Sequence, residues 1–421
     1  VSSLRLTRPL TVLVLSNLLG GVGVAAGIAV GGLAAEALGG TAMAGLGQAA
    51  GVLGAALAAI PLAGIATAHG RRRALALGYA LATAGAVVVI GALALGQLWL
   101  LLVGLGLFGV ASAANLQSRY AATDGVSAAA RGRSMSIVIW ATTIGAVAGP
   151  NLTAPGDRAG LALGLPSLAG PYLFSVLAFA LGAVVVALFF PARRVDPARP
   201  EDPATAGSGP TAVVGARAAL AWAMGHAQAR FAVVLIGCGH AVMVLVMVMT
   251  PVHMQHHGMT LELVGIVISL HVLGMYAMSP VLGGLVDRWG ARTVAWIGIG
   301  VLLLAVSLGV LAGLGRGDSV LTAVALTVLG LGWSACIIAG SAHLVAVTPD
   351  HVTVPLQGVT DAGMNYAGAL AAVIAGPVLA WGGFPAINVI GATLLLPAVL
   401  FGVVSGVRRS SGLESADNLT A

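Results

Sequence analysis

Two four-residue spacings stand close together in this chain: Met243 with Met247, then His271 with Met275. Residues four apart lie one turn above one another on a helix face. If both stretches are helical, one helix presents two thioethers and the next an imidazole with a thioether. Thioether sulfur is a soft ligand that selects Cu(I) among the common biological metals, and imidazole also suits copper. His240 falls on the stripe of Met243 and Met247, one turn away, as a further ligand or a relay. Between the pairs lie His253, Met254, His256, His257 and Met259, a set able to collect a dilute metal ion. Five of the nine histidines and six of the eleven methionines fall between His240 and Met275, a concentration that packing alone does not explain.

The elements that hold these side chains are set by composition. Hydrophobic residues make up 59% of the 421 and charged residues 8%, whereas a soluble domain carries about 25% charged residues. A membrane-crossing helix needs about 20 mostly apolar residues. Twelve such runs are legible, near 10–32, 43–66, 74–95, 98–116, 135–152, 172–190, 231–251, 260–282, 293–314, 320–342, 359–380 and 385–407. The first run has no convincing cleavage site and is expected to remain as a span. All nineteen basic residues are arginine, and seventeen of them fall in alternate loops and tails, leaving Arg158 and Arg316 on the other side. That asymmetry places both termini in the cytoplasm. The net charge of +6 is therefore a topology signal and not a nucleic-acid signal. Cys238 and Cys336 both sit inside apolar runs, which excludes a disulfide framework.

The chain divides into two bundles of six spans, 1–191 and 230–421, the second with a short cytoplasmic tail. The connecting stretch 192–229 is a cytoplasmic linker rich in proline, arginine and acids, and 216–230 reads as an amphipathic surface helix ahead of the seventh span. The halves repeat one another. His69-Gly70-Arg71 corresponds to Trp289-Gly290-Ala291, and Gly149-Pro150 to Gly376-Pro377, about 220 residues on in each case. Six plus six helices related by an internal repeat put a solute site between the halves, near mid-membrane. The short connection between spans seven and eight makes them expected antiparallel neighbours. Span seven is expected to end near Pro251, which leaves the histidines 253, 256 and 257 in an outer loop.

Gly283-Gly284-Leu285-Val286-Asp287-Arg288-Trp289-Gly290 resembles the signature loop of the major facilitator superfamily, G-x-L-x-D-R-x-G, in the position where that family carries it. The resemblance implies an all-α membrane fold of twelve helices in two pseudo-symmetric bundles. It also gives Gly283, Asp287, Arg288 and Gly290 the role of a conformational latch on the outward-facing state. The first half departs from the pattern, with Thr67 where the acid belongs. The M-x-x-x-M and H-x-x-x-M pairs further resemble the CcoA-type copper importers of the superfamily. This implies copper as transported substrate, with no cofactor, in a monomeric carrier of the bacterial plasma (inner) membrane. Met243, Met247, His271 and Met275 would hold the ion. The implied partners are the copper ion and the lipid bilayer, with no nucleic acid.

A second reading is a proton-coupled importer or exporter of a small organic molecule, riboflavin-like or drug-like. For it, Asp361, Asn365 and Tyr366 near the inner end of span eleven are the coupling or substrate contacts. Arg119 and Asp124, at the inner end of span four, read as an inner gate or an ion pair, and Asn17, Asn115 and Gln117 are placed to line a cavity. No nucleotide-binding loop is present, so an enzyme is not implied and the driving energy must come from a gradient.

Overall fold

The computed structural model describes residues 7–122, 138, 140–191, 215–315 and 318–410. Every regular element among these residues is helical. The reason is the solvent: in hydrocarbon each backbone N–H and C=O must find its partner within the chain, and a helix satisfies them all internally. Among the described residues ten helices are long and apolar enough to cross a membrane, and one of them, His351–Gly406, covers 56 residues. That stretch breaks at Gly383, where φ is 66° and ψ is −168°, and so supplies two spans. Span five is shorter and composite, with helix over 140–148, a tight turn at Gly149–Leu152 and helix Thr153–Ala162.

In chain order, spans one to four are Arg8–Gly39, Ala44–His69, Arg71–Leu95 and Leu98–Ala121, and span six is Pro171–Phe189. Span seven is Ala227–His256, and span eight is Leu261–Tyr276 continued by Ser279–Trp289. Spans nine and ten are Ala291–Leu314 and Ser319–Val347. Spans eleven and twelve are the two arms of Asp350–Leu394 about Gly383, the second continued by Leu396–Ser410.

Packing repeats with a period of six spans. Span three lies on four as nine lies on ten, one on six as seven on twelve, and two on four as eight on ten. The turns repeat as well. Gly70 (φ 90°, ψ 155°) and Gly290 (φ 83°, ψ 146°) adopt the same backbone conformation, which L side chains avoid, and each starts the following helix.

This symmetry corrects the expected neighbourhood of spans seven and eight. They touch only sparsely, because span eight follows its counterpart, span two, onto the tenth rather than the seventh helix. Two boundaries also differ from the sequence reading. Span seven runs through Pro251 to His256, so His253, Met254 and His256 are helical and the connection shrinks to 257–260. Proline is tolerated there because packed neighbours compensate for the lost backbone bond. The surface helix is Ala216–Gly225 and stops at His226, whose extended backbone (ψ 116°) turns the chain into span seven.

Buried polar groups tie each half internally. In the first half, Asn17 donates to Ser118 and accepts from Thr142 Oγ1 at 3.1 Å, and Tyr79 OH donates to Asn115 Oδ1 at 2.7 Å. Arg71 donates to Gln117 Oε1 at 3.1 Å. Asn17, Asn115 and Gln117 therefore act as struts between helices of one half. In the second half, Gln228 Oε1 receives Arg292 at 3.3 Å and lies 2.9 Å from His343 Nε2, while Arg292 also donates to the Gly402 carbonyl.

Glycines set helix separation within the first half. A Cβ on Gly109 would lie 1.9 Å from the Gly51 carbonyl oxygen, and backbone cannot yield to it. We expect Gly109→Ala to force spans two and four apart and to destabilise the protein by about 1–3 kcal/mol. Thermal unfolding in detergent checks this, and an unchanged midpoint would contradict it.

Candidate functional site

The imidazole of His271 is fully buried on the face of span eight that meets span ten. Its Nδ1 lies 2.7 Å from the Leu326 carbonyl oxygen. A carbonyl only accepts, so Nδ1 carries the proton and Nε2 of the neutral ring presents a lone pair. Nε2 is buried and has no hydrogen-bond partner. Gly330 makes this seat possible: a Cβ there would lie 2.4 Å from the His271 carbonyl and 3.2 Å from Nδ1. Met275 is buried one turn further along the same helix.

Span seven brings two thioethers to a similar depth. Met247 is half-buried and lines a cavity of about 20 Å³ with Gly32 of span one, Gln48 of span two and Ile268 of span eight. That volume holds about one water. Met247 and Ile268 thus fix the level at which spans seven and eight come together. One turn toward the arginine-rich end lies Met243, buried, and three residues beyond Ile268 lies His271. Among the described residues no three His, Cys, Asp or Glu side chains group closely enough to share an ion. A soft-metal position here would have to be completed by methionine sulfur.

His240 is placed differently from its expected role. Trp333 of span ten donates its indole N–H to His240 Nδ1 at 3.1 Å. Indole is a donor only, so His240 holds its proton on Nε2 and that atom is not a ligand in this tautomer. The ring belongs instead to an aromatic wall. Trp333 stands 6.2 Å from His240 and 6.1 Å, edge-on, from the half-exposed Tyr276 of span eight. Gly368 of span eleven leaves room beside the imidazole, since a Cβ there would meet Nε2 at 2.8 Å.

The outer histidines are drawn to different partners, although the rings of His253 and His257 lie 4.4 Å apart. His253 is buried and stacked on Phe384 at 4.2 Å, and Met254 is fully buried. His256 bonds Glu36 of span one at 2.7 Å, and His257 Nδ1 lies 2.9 Å from the His253 carbonyl. They do not assemble a single capture site here. Asp361, Asn365 and Tyr366 are exposed three to four turns into span eleven, not at its end, with Asn365 donating to the Asp361 carbonyl at 2.8 Å. Asp287 and Arg288 are exposed and form no ion pair among the described residues, with Gly283 and Gly290 framing them on the turn. Arg119 lies on span four but its side chain, like Asp124, falls outside the described residues.

Sequence reasoning missed span ten as a partner. Leu326 contributes a carbonyl and Gly330 an absence, and neither leaves a side-chain signature. Trp333, a polar-tipped aromatic within an apolar run, was the available signal. Asn151 and Ser269, joined at 2.7 Å across the two halves, were also missed.

The His240 assignment predicts a measurable tautomer. Nitrogen NMR of histidine-labelled protein should show His240 protonated at Nε2 and bare at Nδ1, and Trp333→Phe should mix the two forms. A mixed signal before substitution would contradict the bond.

The fold is shared widely. A POT family transporter solved in complex with 5-aminolevulinic acid superposes with a TM-score of 0.68 at 15% identity, over 95% of this chain and 96% of its own. The nucleoside transporter NupG superposes with a TM-score of 0.66 at 17% identity, over 95% and 99%. By sequence the chain is 37% identical to an uncharacterized MFS-type transporter of Bacillus subtilis, YdeG, over 94% of this chain and 91% of that one. A second Bacillus subtilis transporter of that type, YddS, is 33% identical over 94% and 90%. The riboflavin transporter RfnT of Brucella anthropi is 30% identical over 39% of this chain and 41% of its own. The Major Facilitator Superfamily model matches residues 10–261 and 231–417. With twelve spans in two repeated halves, this chain belongs to the Major Facilitator Superfamily and is a membrane transporter, not an enzyme.

Proposed function

We propose that this transporter brings copper into the cytoplasm by alternating access. The observation that carries the reading is His271: its Nδ1–H is held by a backbone carbonyl while its buried Nε2 lone pair has no partner. Histidines that ligate metals hold their second nitrogen in this way, and the hydrogen bond fixes both tautomer and ring orientation. An unpaired polar atom in hydrocarbon is costly, and ionisable groups within spans mark solute paths. Met275 on the same helix, with Met243 and Met247 at similar depth on span seven, supplies the soft sulfur that favours Cu(I).

The arginine-rich side is the cytoplasmic one in this reading, with both termini there. The halves meet on the opposite side through Asn151–Ser269, Glu36–His256 and Arg158–Glu262 at 3.7 Å. This state is therefore closed to the outside. Asp287 and Arg288, which form no ion pair among the described residues, fit it, since the latch of the signature loop serves the other state.

A second reading has its own observation. The wall of His240, Trp333 and Tyr276 suits stacking of a planar organic solute, with His240 Nε2–H as a donor to it. The partial likeness to a riboflavin transporter points the same way.

Uptake of radioactive copper into cells separates the two. His271→Ala, Met275→Ala, Met243→Ala and Met247→Ala should each reduce uptake at least about tenfold with protein level maintained. Trp333→Ala should leave copper uptake in place. Full copper uptake in all four variants would reject the copper reading. Loss of riboflavin uptake in Trp333→Ala, with His271→Ala active, would establish the second.

A further inference from the structure

Spans one, two, seven and eight all reach the small cavity beside Met247, so it is shared by the two halves. Its lining is mostly apolar, but two polar groups on it lack their ordinary partners. One of them is backbone. Pro251 lies inside span seven and lines the cavity together with Met247, four residues earlier. In a helix the carbonyl of a residue accepts from the N–H four residues on, and proline has no N–H to give. The Met247 carbonyl thus loses its usual donor. The hydroxyl beside the proline, Thr250, donates to the Val246 carbonyl at 2.8 Å and does not replace it. No side chain among the described residues donates to the Met247 carbonyl.

The other group is Gln48 of span two. Its carboxamide offers two N–H donors and an oxygen acceptor. The side chain is half-buried, lines the cavity and makes no hydrogen bond among the described residues. The freed carbonyl belongs to the second half and the carboxamide to the first. A cavity of about 20 Å³ takes one water-sized group. A lining of hydrocarbon alone would keep such a cavity dry, whereas two or more polar partners hold an occupant in it.

We infer that this cavity is a binding site for a single hydrogen-bond donor group, an O–H or N–H of one heavy atom. The group donates to the Met247 carbonyl and accepts from the Gln48 carboxamide. A water presents this chemistry, and so does a hydroxyl on a cargo molecule. An ionised carboxylate does not, because it would turn lone pairs toward a carbonyl that only accepts. The site gives span seven a donor in place of the one that Pro251 removes. It also makes Gln48 the contact of the first half with the path beside Met247. It uses the Met247 backbone and not its sulfur, so it stands or falls apart from the copper reading.

Infrared spectroscopy of the full-length protein in lipid nanodiscs, carrying carbon-13 at its methionine carbonyls, tests the site. Met247→Leu identifies the band of that carbonyl by its loss. In the unsubstituted protein the band should lie at a hydrogen-bonded frequency. Gln48→Leu, similar in size but without the carboxamide, should shift it up toward the free-carbonyl position. Pro251→Ala restores an N–H and should bring the band to the ordinary helix position, with no further shift when Gln48→Leu is added. Riboflavin, as a hydroxylated probe, separates the two occupants. A shift on its addition that Gln48→Leu abolishes assigns the site to a cargo hydroxyl, and a band that riboflavin leaves in place assigns it to water. A free-carbonyl frequency in the unsubstituted protein would overturn the inference, as would a band that Gln48→Leu does not move. Should Gln48→Leu fail to accumulate, Pro251→Ala decides: an unmoved band would mean a carbonyl already paired within the helix, and the inference would fall.

Discussion

The hydrogen bond from His271 Nδ1 to the Leu326 carbonyl is the constraint on which the site depends. It fixes the tautomer, and so it decides that Nε2 faces its surroundings as a lone pair. It also fixes which helix the imidazole leans on, and that helix is span ten. In water the free nitrogen would cost nothing. Inside a bundle of apolar helices it is a buried acceptor without a donor, and leaving such a group unmade costs about 1–3 kcal/mol. Under the proposed copper reading, a soft cation between imidazole and thioether would offset that cost while it is bound. A carrier needs this balance, since a site satisfied within the protein would have no reason to take a solute.

The same tenth helix separates two histidines that look alike in sequence. His240 and His271 both lie in apolar runs, each beside methionine. Trp333 donates to one ring and the Leu326 carbonyl accepts from the other, so the two imidazoles hold opposite tautomers. One offers a lone pair to the site and the other offers an N–H. Two chemistries are thereby placed against span ten: a bare imidazole nitrogen and an aromatic wall.

Much of the architecture was legible because the bilayer restricts the choices. Apolar runs of sufficient length must be helices, and the Gly70 and Gly290 turns mark the repeat. The conformation of those two glycines agrees to within about ten degrees, as identical roles require. The neighbourhood of spans seven and eight was not legible from loop length. A short connection limits how far two helix ends can part, but the repeat decides which faces pack, and span eight goes to ten as two goes to four. Proline at 251 misled for a similar reason: its effect on a helix depends on neighbours that a linear reading does not contain. Partners that act through backbone, such as Leu326 and Gly330, leave no side-chain pattern to find.

X-ray absorption at the copper edge of purified protein loaded with Cu(I) under reducing conditions tests the central claim most directly. The account predicts one bound ion per chain with a mixed sulfur and imidazole-nitrogen first shell. His271→Ala should remove the nitrogen component and weaken retention. A protein that retains no copper, or one whose bound copper has only oxygen and nitrogen neighbours unaffected by His271→Ala, would contradict it.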